Sequence, residues 1–269
     1  MSDGDKVLSW IRDWLADGGA ILMIADYDGT LSPLVHEPSQ AWLEAGVRDH
    51  LRSLATCPRV RLTIISGRDL VDLRARVGVP DAIYAGCHGL EVDGPDMSFS
   101  HPEAEAQQDS LRMIGLALNQ RMPSVEGMRV EAKRLGLAIH YRDVPAERMR
   151  EVEDELARAI QKSGHRLKIF HGSKVIEILP QVGWNKGRCA LWIREAVQRL
   201  SARRGVTTEA GRSADCSLSK FDSLIAETAG LWRTAWRSKT FFAISFRHAL
   251  DDRFMTIRGE VLLHKLQLI

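Results

Sequence analysis

The stretch Ala20-Ile-Leu-Met-Ile-Ala-Asp-Tyr-Asp-Gly-Thr-Leu-Ser-Pro33 constrains this chain more than any other. Its first six residues, Ala20 to Ala25, are apolar without a break, which reads as a short strand buried on both faces. Such a strand belongs in the middle of a parallel sheet, and in these sheets ligands gather beyond the carboxyl ends of the strands. Asp26 and Asp28 follow at that end. In extended backbone, residues i and i+2 point the same way, so both carboxylates can face one group. Asp also favours turns and caps, and an isolated pair is open to that plainer reading.

Residues 40–56 read as a helix with Val47, Leu51 and Leu54 inward, and Val60 to Ile65 as a second strand, a right-handed βαβ unit. Ser66-Gly67-Arg68 stands where that strand runs into a helix over 70–77. Ser66 could serve as a cap of this helix, and its hydroxyl and the backbone N–H groups after it are expected to hold a phosphate at the helix N-terminus. Ala82 to Ala85 is a third short strand, followed by Gly86-Cys-His-Gly-Leu-Glu91 and a hairpin through Gly94-Pro95. Ahead of the first strand, residues 5–17 read as an amphipathic helix carrying Trp10, Ile11, Trp14 and Leu15.

The rhythm changes near residue 102. A helix over 103–121, strands near 127–132 and 136–142, a helix over 146–162 and strands at 166–170 and 174–179 follow in turn. This α-β-β-α-β-β order is an antiparallel sheet backed by helices on one side. It reads as an inserted module, after which Asn185-Lys186-Gly187 opens a helix over 187–202. The expected fold class is therefore α/β: a core from 1–102 and 181–269, interrupted by an α+β module at 103–180. Net charge is +2 and 27% of residues are charged, which gives no preference for nucleic acid or membrane. The first 40 residues show no basic-then-apolar export signal. Cys57, Cys87, Cys189 and Cys216 lack metal-ligand spacing, so reduced thiols and a cytoplasmic location are expected.

Asp-Tyr-Asp-Gly-Thr-Leu-Ser-Pro resembles the first signature of the haloacid dehalogenase superfamily of phosphatases. The form with Tyr between the carboxylates is similar to the trehalose-6-phosphate phosphatases. The resemblance implies a Rossmann-like parallel sheet with an inserted cap. It makes Asp26 the nucleophile and Asp28 the general acid/base, with both contributing to a Mg²⁺ site. A carboxylate is a weak nucleophile towards an anionic phosphate, and a divalent ion offsets their repulsion. Ser66-Gly67-Arg68 matches the second signature, and Gly183-Trp-Asn-Lys-Gly187 the third, so Ser66, Gly67, Arg68 and Lys186 are expected around the phosphate. Gly86-Cys-His-Gly-Leu-Glu91 matches a family segment near the active site and brings in His88. Val130-Glu131-Ala132-Lys133, Ile139-His140-Tyr141-Arg142 and Lys174-Val-Ile-Glu177-Ile-Leu-Pro180 resemble the family's cap, which would set Lys133, His140 and Glu177 against the sugar. The implied reaction is hydrolysis of trehalose 6-phosphate to trehalose and phosphate, with a functional link to a trehalose-6-phosphate synthase.

The resemblance covers roughly residues 20–200. The family would next show a strand ending in Gly-Asp-Asp-x-Thr-Asp-Glu, whose acids complete the Mg²⁺ site, and no such string follows. Residues 201–269 hold 11 Lys+Arg against 7 Asp+Glu, and five of the seven Phe. Asp215 is the nearest replacement acid by position. A frame-shifted or altered terminus is one reading of this break, and impaired turnover is its expected consequence. Two alternatives stay open: a phosphatase for another sugar phosphate, such as that of sucrose or mannosyl-glycerate, and a sugar-phosphate binder without turnover.

Overall fold

A computed structural model describes residue 13 and residues 20–121, 125–164, 166–172, 174–203, 242–246, 254–258 and 260–262. Apart from Asp13, the helix expected over 5–17 lies outside the described residues, as do Asp215 and Cys216. The strands are β1 (Ile21–Asp26), β2 (Val60–Ile65), β3 (Ile83–Gly86), β4 (Glu91–Gly94), β5 (Met97–Ser100), β6 (Arg129–Lys133), β7 (Gly136–His140), β8 (Leu167–His171), β9 (Val175–Pro180), β10 (Phe242–Phe246), β11 (Phe254–Arg258) and β12 (Glu260–Leu262). The helices are α1 (Val47–Ala55), α2 (Leu70–Val77), α3 (Pro102–Glu105), α4 (Gln108–Arg121), α5 (Met149–Ser163) and α6 (Lys186–Arg203).

β1 is covered from both sides, and this explains its unbroken apolar run. Ile21, Met23 and Ala25 join a core with Val47, Leu51, Leu54, Leu73 and Val77 of α1 and α2. Leu22 and Ile24, alternating with them, join a second core with Cys189, Ala190 and Ile193 of α6. β1, β2 and β3 pair in parallel, as the βαβ pattern requires. β4 and β5 extend that side of the sheet antiparallel, the hairpin expected through Gly94-Pro95. α1 begins later than the expected residue 40, because Gly46 at its N-cap takes a left-handed φ of 82° and a separate 3₁₀ turn occupies Pro38–Gln40.

On its other side β1 departs from the expected parallel sheet. β10 pairs with it antiparallel, Ala25 opposite Phe242 and Ile21 opposite Phe246, and β11 and β12 continue outwards. The alternation Phe242, Ile244, Phe246 is a strand signal, but one too short to stand out in a tail without sustained period.

The second sheet has the order β6-β7-β9-β8, antiparallel throughout. Leu111, Ile114 and Leu118 of α4 and Val152, Leu156 and Ala159 of α5 share a core with Leu137, Ile139, Ile176 and Ile178. Both helices therefore lie on one face. The opposite side chains of β6 and β9 include Glu131, Lys133 and Glu177, with Glu131 and Glu177 flanking Ala138 in register. Among the described residues no helix is long and apolar enough to cross a membrane, and Cys57, Cys87 and Cys189 are buried free thiols.

The polar face of the second sheet meets the first sheet through few, well-partnered groups. Lys133 Nζ donates to the Gly67 carbonyl at 2.9 Å and to Glu177 Oε1 at 2.6 Å. His88 Nε2 lies 2.8 Å from Glu177 Oε2. The backbone N–H of Arg134 donates to Asp69 Oδ2 at 2.9 Å. Burial alone would raise the Glu177 carboxyl, but the His88 hydrogen bond and the Lys133 charge outweigh it and lower the group to about 2. A carboxylate held below its unfolded value stabilises the fold above the ordinary carboxylate range and loses that contribution as the pH falls towards its folded value.

Glu177→Gln should therefore destabilise the protein near neutral pH by on the order of 3 kcal/mol, since it leaves buried Lys133 without its carboxylate. Denaturant unfolding of both proteins should show this gap narrowing between about pH 5 and about pH 2. A gap that stays constant over that range would contradict the assignment.

Candidate active site

The end of β1 is shaped by what Tyr27 does. Its ring is fully buried and its hydroxyl donates to the Ala41 carbonyl at 2.7 Å. Turning Tyr27 inward leaves its neighbours Asp26 and Asp28 on the opposite side, as the i, i+2 spacing predicts. Gly29, with φ of 76°, then lets the chain fold back so that its N–H reaches the Ser32 carbonyl at 2.9 Å.

Asp26 Oδ1 accepts from Lys186 Nζ at 2.8 Å, across 160 residues of sequence, and from the Tyr27 N–H at 3.0 Å. Lys186 is the first residue of α6, and Asn185 Oδ1 caps that helix by accepting from the Arg188 N–H at 3.0 Å. The Lys186 ammonium thus reaches Asp26 from the first residue of α6.

Asp28 is held from the second strand. Ser66 Oγ lies 3.3 Å from Asp28 Oδ2. Arg68 reaches the same carboxylate with Nε at 3.0 Å from each oxygen and Nη2 at 2.6 Å from Oδ1. The helix cap that Ser66 could have made is supplied by Asp69, whose side chain accepts from the Val71 N–H at 2.9 Å. Ser66 sits three residues earlier, buried, with its Oγ accepting from the Arg68 N–H at 3.1 Å. The extra residues make a loop that aims hydroxyl and guanidinium at β1.

Gly67 fits this loop for a steric reason. A Cβ there would lie 2.7 Å from His88 Nε2, closer than real contacts allow. His88 and Cys87 both take left-handed backbone, φ of 60° and 47°, which is uncommon for residues other than glycine. The His88 ring stacks on Phe170 with centroids 6.0 Å apart.

From the second sheet, His140 Nε2 lies 2.7 Å from Glu131 Oε2. That hydrogen bond is the largest influence on the Glu131 carboxyl and lowers it against the opposing effect of burial, with Lys133 and Arg68 adding positive charge. A cavity of about 320 Å³ adjoins His140, between residues 36–38 on one side and residues 127–129, 142–143 and 174–175 on the other.

The expected site residues therefore fall into linked groups: Asp26 with Lys186, Asp28 with Ser66 and Arg68, Gly67 and His88 with Lys133 and Glu177, and His140 with Glu131. The sequence reading missed Asp72 and Arg76. They follow Arg68 at steps of four, the spacing that stacks side chains along one helix stripe. Asp72 Oδ2 accepts from Arg68 Nη1 at 3.0 Å, and Arg76 Nε lies 2.8 Å from the same oxygen.

The donor set suits Mg²⁺ incompletely. That ion takes oxygen ligands and keeps several waters, so one or two carboxylates can hold it weakly. The Asp26 carboxylate and the Asp28 backbone carbonyl would supply two oxygen ligands. Among the described residues the one cluster of three ligand-type side chains is Asp69, Cys87 and Glu91, which contains neither. Burial pushes its Cys87 thiol up to about 12, which leaves a neutral sulfur poorly matched to a hard cation.

A family model of the trehalose-phosphatases matches residues 24–209. The trehalose-phosphate phosphatase of Mycobacterium tuberculosis (strain ATCC 25618 / H37Rv) is 38% identical over 200 residues, covering 71% of this chain and 50% of the relative. That of Mycobacterium marinum is 39% identical over 200 residues with the same coverage. The chain thus spans about half the length of these curated relatives. Among solved structures, a trehalose-6-phosphate phosphatase related protein aligns with a TM-score of 0.58 at 20% identity, covering 65% of this chain and 73% of the other. The C-terminal domain of the trehalose-6-phosphate phosphatase of C. albicans aligns at 0.50 and 24% identity, covering 62% and 59%. These two likenesses establish the α/β fold of the haloacid dehalogenase type. With 186 of its 269 residues inside the family match, this chain belongs to the trehalose-phosphatase family.

Proposed function

We propose that this chain hydrolyses trehalose 6-phosphate to trehalose and phosphate through a phosphorylated Asp26. The observation that carries the reading is the 2.8 Å pair between Lys186 and Asp26, with Asp28 two residues on and tied to Ser66. A free Asp26 oxygen attacks phosphorus, and the bond to the sugar oxygen breaks. Asp28 gives that oxygen its proton, then takes one from the water that cleaves the aspartyl-phosphate. Lys186 stabilises the charge that develops on the transferring phosphoryl group. Ser66, Gly67 and Arg68 border the phosphate position. The second sheet, within residues 103–180, serves as the cap, and Lys133, His140 and Glu177 with His88 offer the sugar a polar face. Dense hydrogen-bonding groups of this kind suit a polyhydroxylated ligand.

Asp26 and Asp28 would hold Mg²⁺, which when bound offsets the repulsion between Asp26 and the phosphate. The family's third acid would come from the end of a strand beside β1. Here the neighbour is β10, and its antiparallel course puts its carboxyl end opposite Ile21, away from Asp26. We therefore read the ion site as weak and turnover by this chain as slow. The same observation favours a second reading, a sugar-phosphate binder without turnover. The cytoplasm, where its buried thiols stay reduced, and a metabolic link to a synthase of trehalose 6-phosphate complete the proposal.

Phosphate release from trehalose 6-phosphate should be slow, should rise with Mg²⁺ into the millimolar range and should vanish in Asp26→Asn. Rapid turnover at micromolar Mg²⁺ would contradict the weak ion site. Binding of trehalose 6-phosphate with no release would select the second reading. Lys186→Ala should lower kcat by roughly 100-fold or more, the scale seen when a group stabilising transition-state charge is removed; a kcat near wild type would remove Lys186 from the chemistry.

A further inference from the structure

We propose that Asp72, backed by Arg76, is a positioning residue for the acid/base step: it fixes Arg68 so that Arg68 fixes Asp28. The inference rests on the phosphatase reading above and adds residues to it that touch neither phosphate nor sugar.

Arg68, Asp72 and Arg76 lie at successive steps of four along α2 and its approach, so their side chains stack on one stripe. All three nitrogens of the Arg68 guanidinium are engaged. Nε and Nη2 hold Asp28, Nη1 holds Asp72 Oδ2 at 3.0 Å, and Nη2 also donates to the Pro38 carbonyl at 2.9 Å. Its guanidinium carbon lies 5.4 Å from the centre of the Tyr27 ring, between the two site carboxylates in sequence. Arg76 in turn holds Asp72 through Nε, at 2.9 Å from Oδ1 and 2.8 Å from Oδ2. Nη1 of Arg76 donates to the carbonyls of Ser39 and Ala41, at 3.0 and 3.2 Å. The Arg76 side chain is 8% exposed and that of Arg68 11%.

This is a row of alternating charges, Asp28–Arg68–Asp72–Arg76, anchored at its far end in backbone carbonyls. A guanidinium is a planar fork, so its orientation dictates where a bidentate carboxylate can sit. Arg68 gripped only by Asp28 could swing with it. Gripped at Nη1 by Asp72 as well, it has one orientation. The carboxyl of Asp72 agrees with this placement: burial would raise it, but the two arginines hold it below the usual carboxylate range. The Tyr27 hydroxyl and Arg76 share the Ala41 carbonyl, which ties the row back to the backbone between Asp26 and Asp28.

Asp28 acts twice, protonating the leaving oxygen and later taking a proton from the hydrolytic water, and only the first of these steps differs between substrates. A sugar alkoxide needs that proton and a nitrophenolate scarcely does. Asp72→Asn keeps the side-chain shape and removes the charge. It should lower kcat/KM for trehalose 6-phosphate, the parameter that reports phosphoryl transfer to Asp26 and not the later hydrolysis common to all substrates, about 10-fold, a part of what acid–base catalysis supplies. The same variant should lose less than about twofold on p-nitrophenyl phosphate, and Asp72→Glu should recover part of the loss on the sugar phosphate. Equal losses on both substrates would overturn the proposal and leave Asp72 a structural residue. If wild type turns over p-nitrophenyl phosphate and glucose 6-phosphate but not trehalose 6-phosphate, the substrate reading fails, and the comparison is made on glucose 6-phosphate instead. Crystal structures of wild type and Asp72→Asn give a readout independent of turnover: Asp28 and Arg68 should shift or lose order in the variant, and unchanged side chains would overturn the inference.

Discussion

A lysine ammonium 2.8 Å from a carboxylate 160 residues away is the contact on which the rest of the arrangement depends. An aspartate that attacks a phosphate must face an anion, and the surrounding cations decide whether that approach is tolerable. Lys186 reaches Asp26 because α6 begins at the carboxyl end of β1, and α6 begins there because Cys189, Ala190 and Ile193 fill the face of the sheet that Leu22 and Ile24 present. Packing at the far side of the strand thus sets the electrostatics at its tip. The same logic recurs around it: Asp28 faces Arg68, Asp72 faces Arg68 and Arg76, and Glu177 faces Lys133. Each of these site carboxylates has a cation within hydrogen-bond distance, so negative charge can be concentrated there without unfolding the loop ends that carry it.

Much of this was legible in the sequence because it follows from short-range pattern. An unbroken apolar run followed by two acids could hardly be anything but a buried strand with a polar tip, and β2 and α2 fall on the residues that their periodicity picks out. The polar face of the second sheet was legible too, since Glu131, Lys133 and Glu177 alternate with apolar residues that helices cover. Less legible was the use of each polar group. Ser66 reads as a helix cap by residue type, yet Asp69, three residues on, is an equally good cap and takes that place, freeing Ser66 for Asp28. Arg68 reads as a phosphate ligand, yet its guanidinium is turned on Asp28 and Asp72. A one-dimensional pattern does not say which of several donors an arginine finds, because that depends on β1 lying beside β2.

The tail shows the opposite limit. β10 takes the place beside β1 and runs antiparallel to it. Backbone hydrogen bonding is satisfied by either direction, so the sheet continues past β1 whichever way the added strand runs. An edge beside a catalytic strand needs a partner for stability and a particular partner for function, and only the first requirement is visible in this pairing. At the tip of β1, Asp26 faces Lys186 and Asp28 faces Ser66 and Arg68, while the described residues of β10 bring no acid there.

The central claim is that Asp26 takes the phosphoryl group. Incubating the protein with trehalose 6-phosphate radiolabelled at phosphorus, quenching in acid and mapping the labelled peptide tests it directly. The account predicts label on the peptide containing Asp26, stable to acid and released by hydroxylamine, and none in Asp26→Asn. Label on another residue, or phosphate released from substrate with no labelled protein at any time before the first turnover is complete, would contradict it.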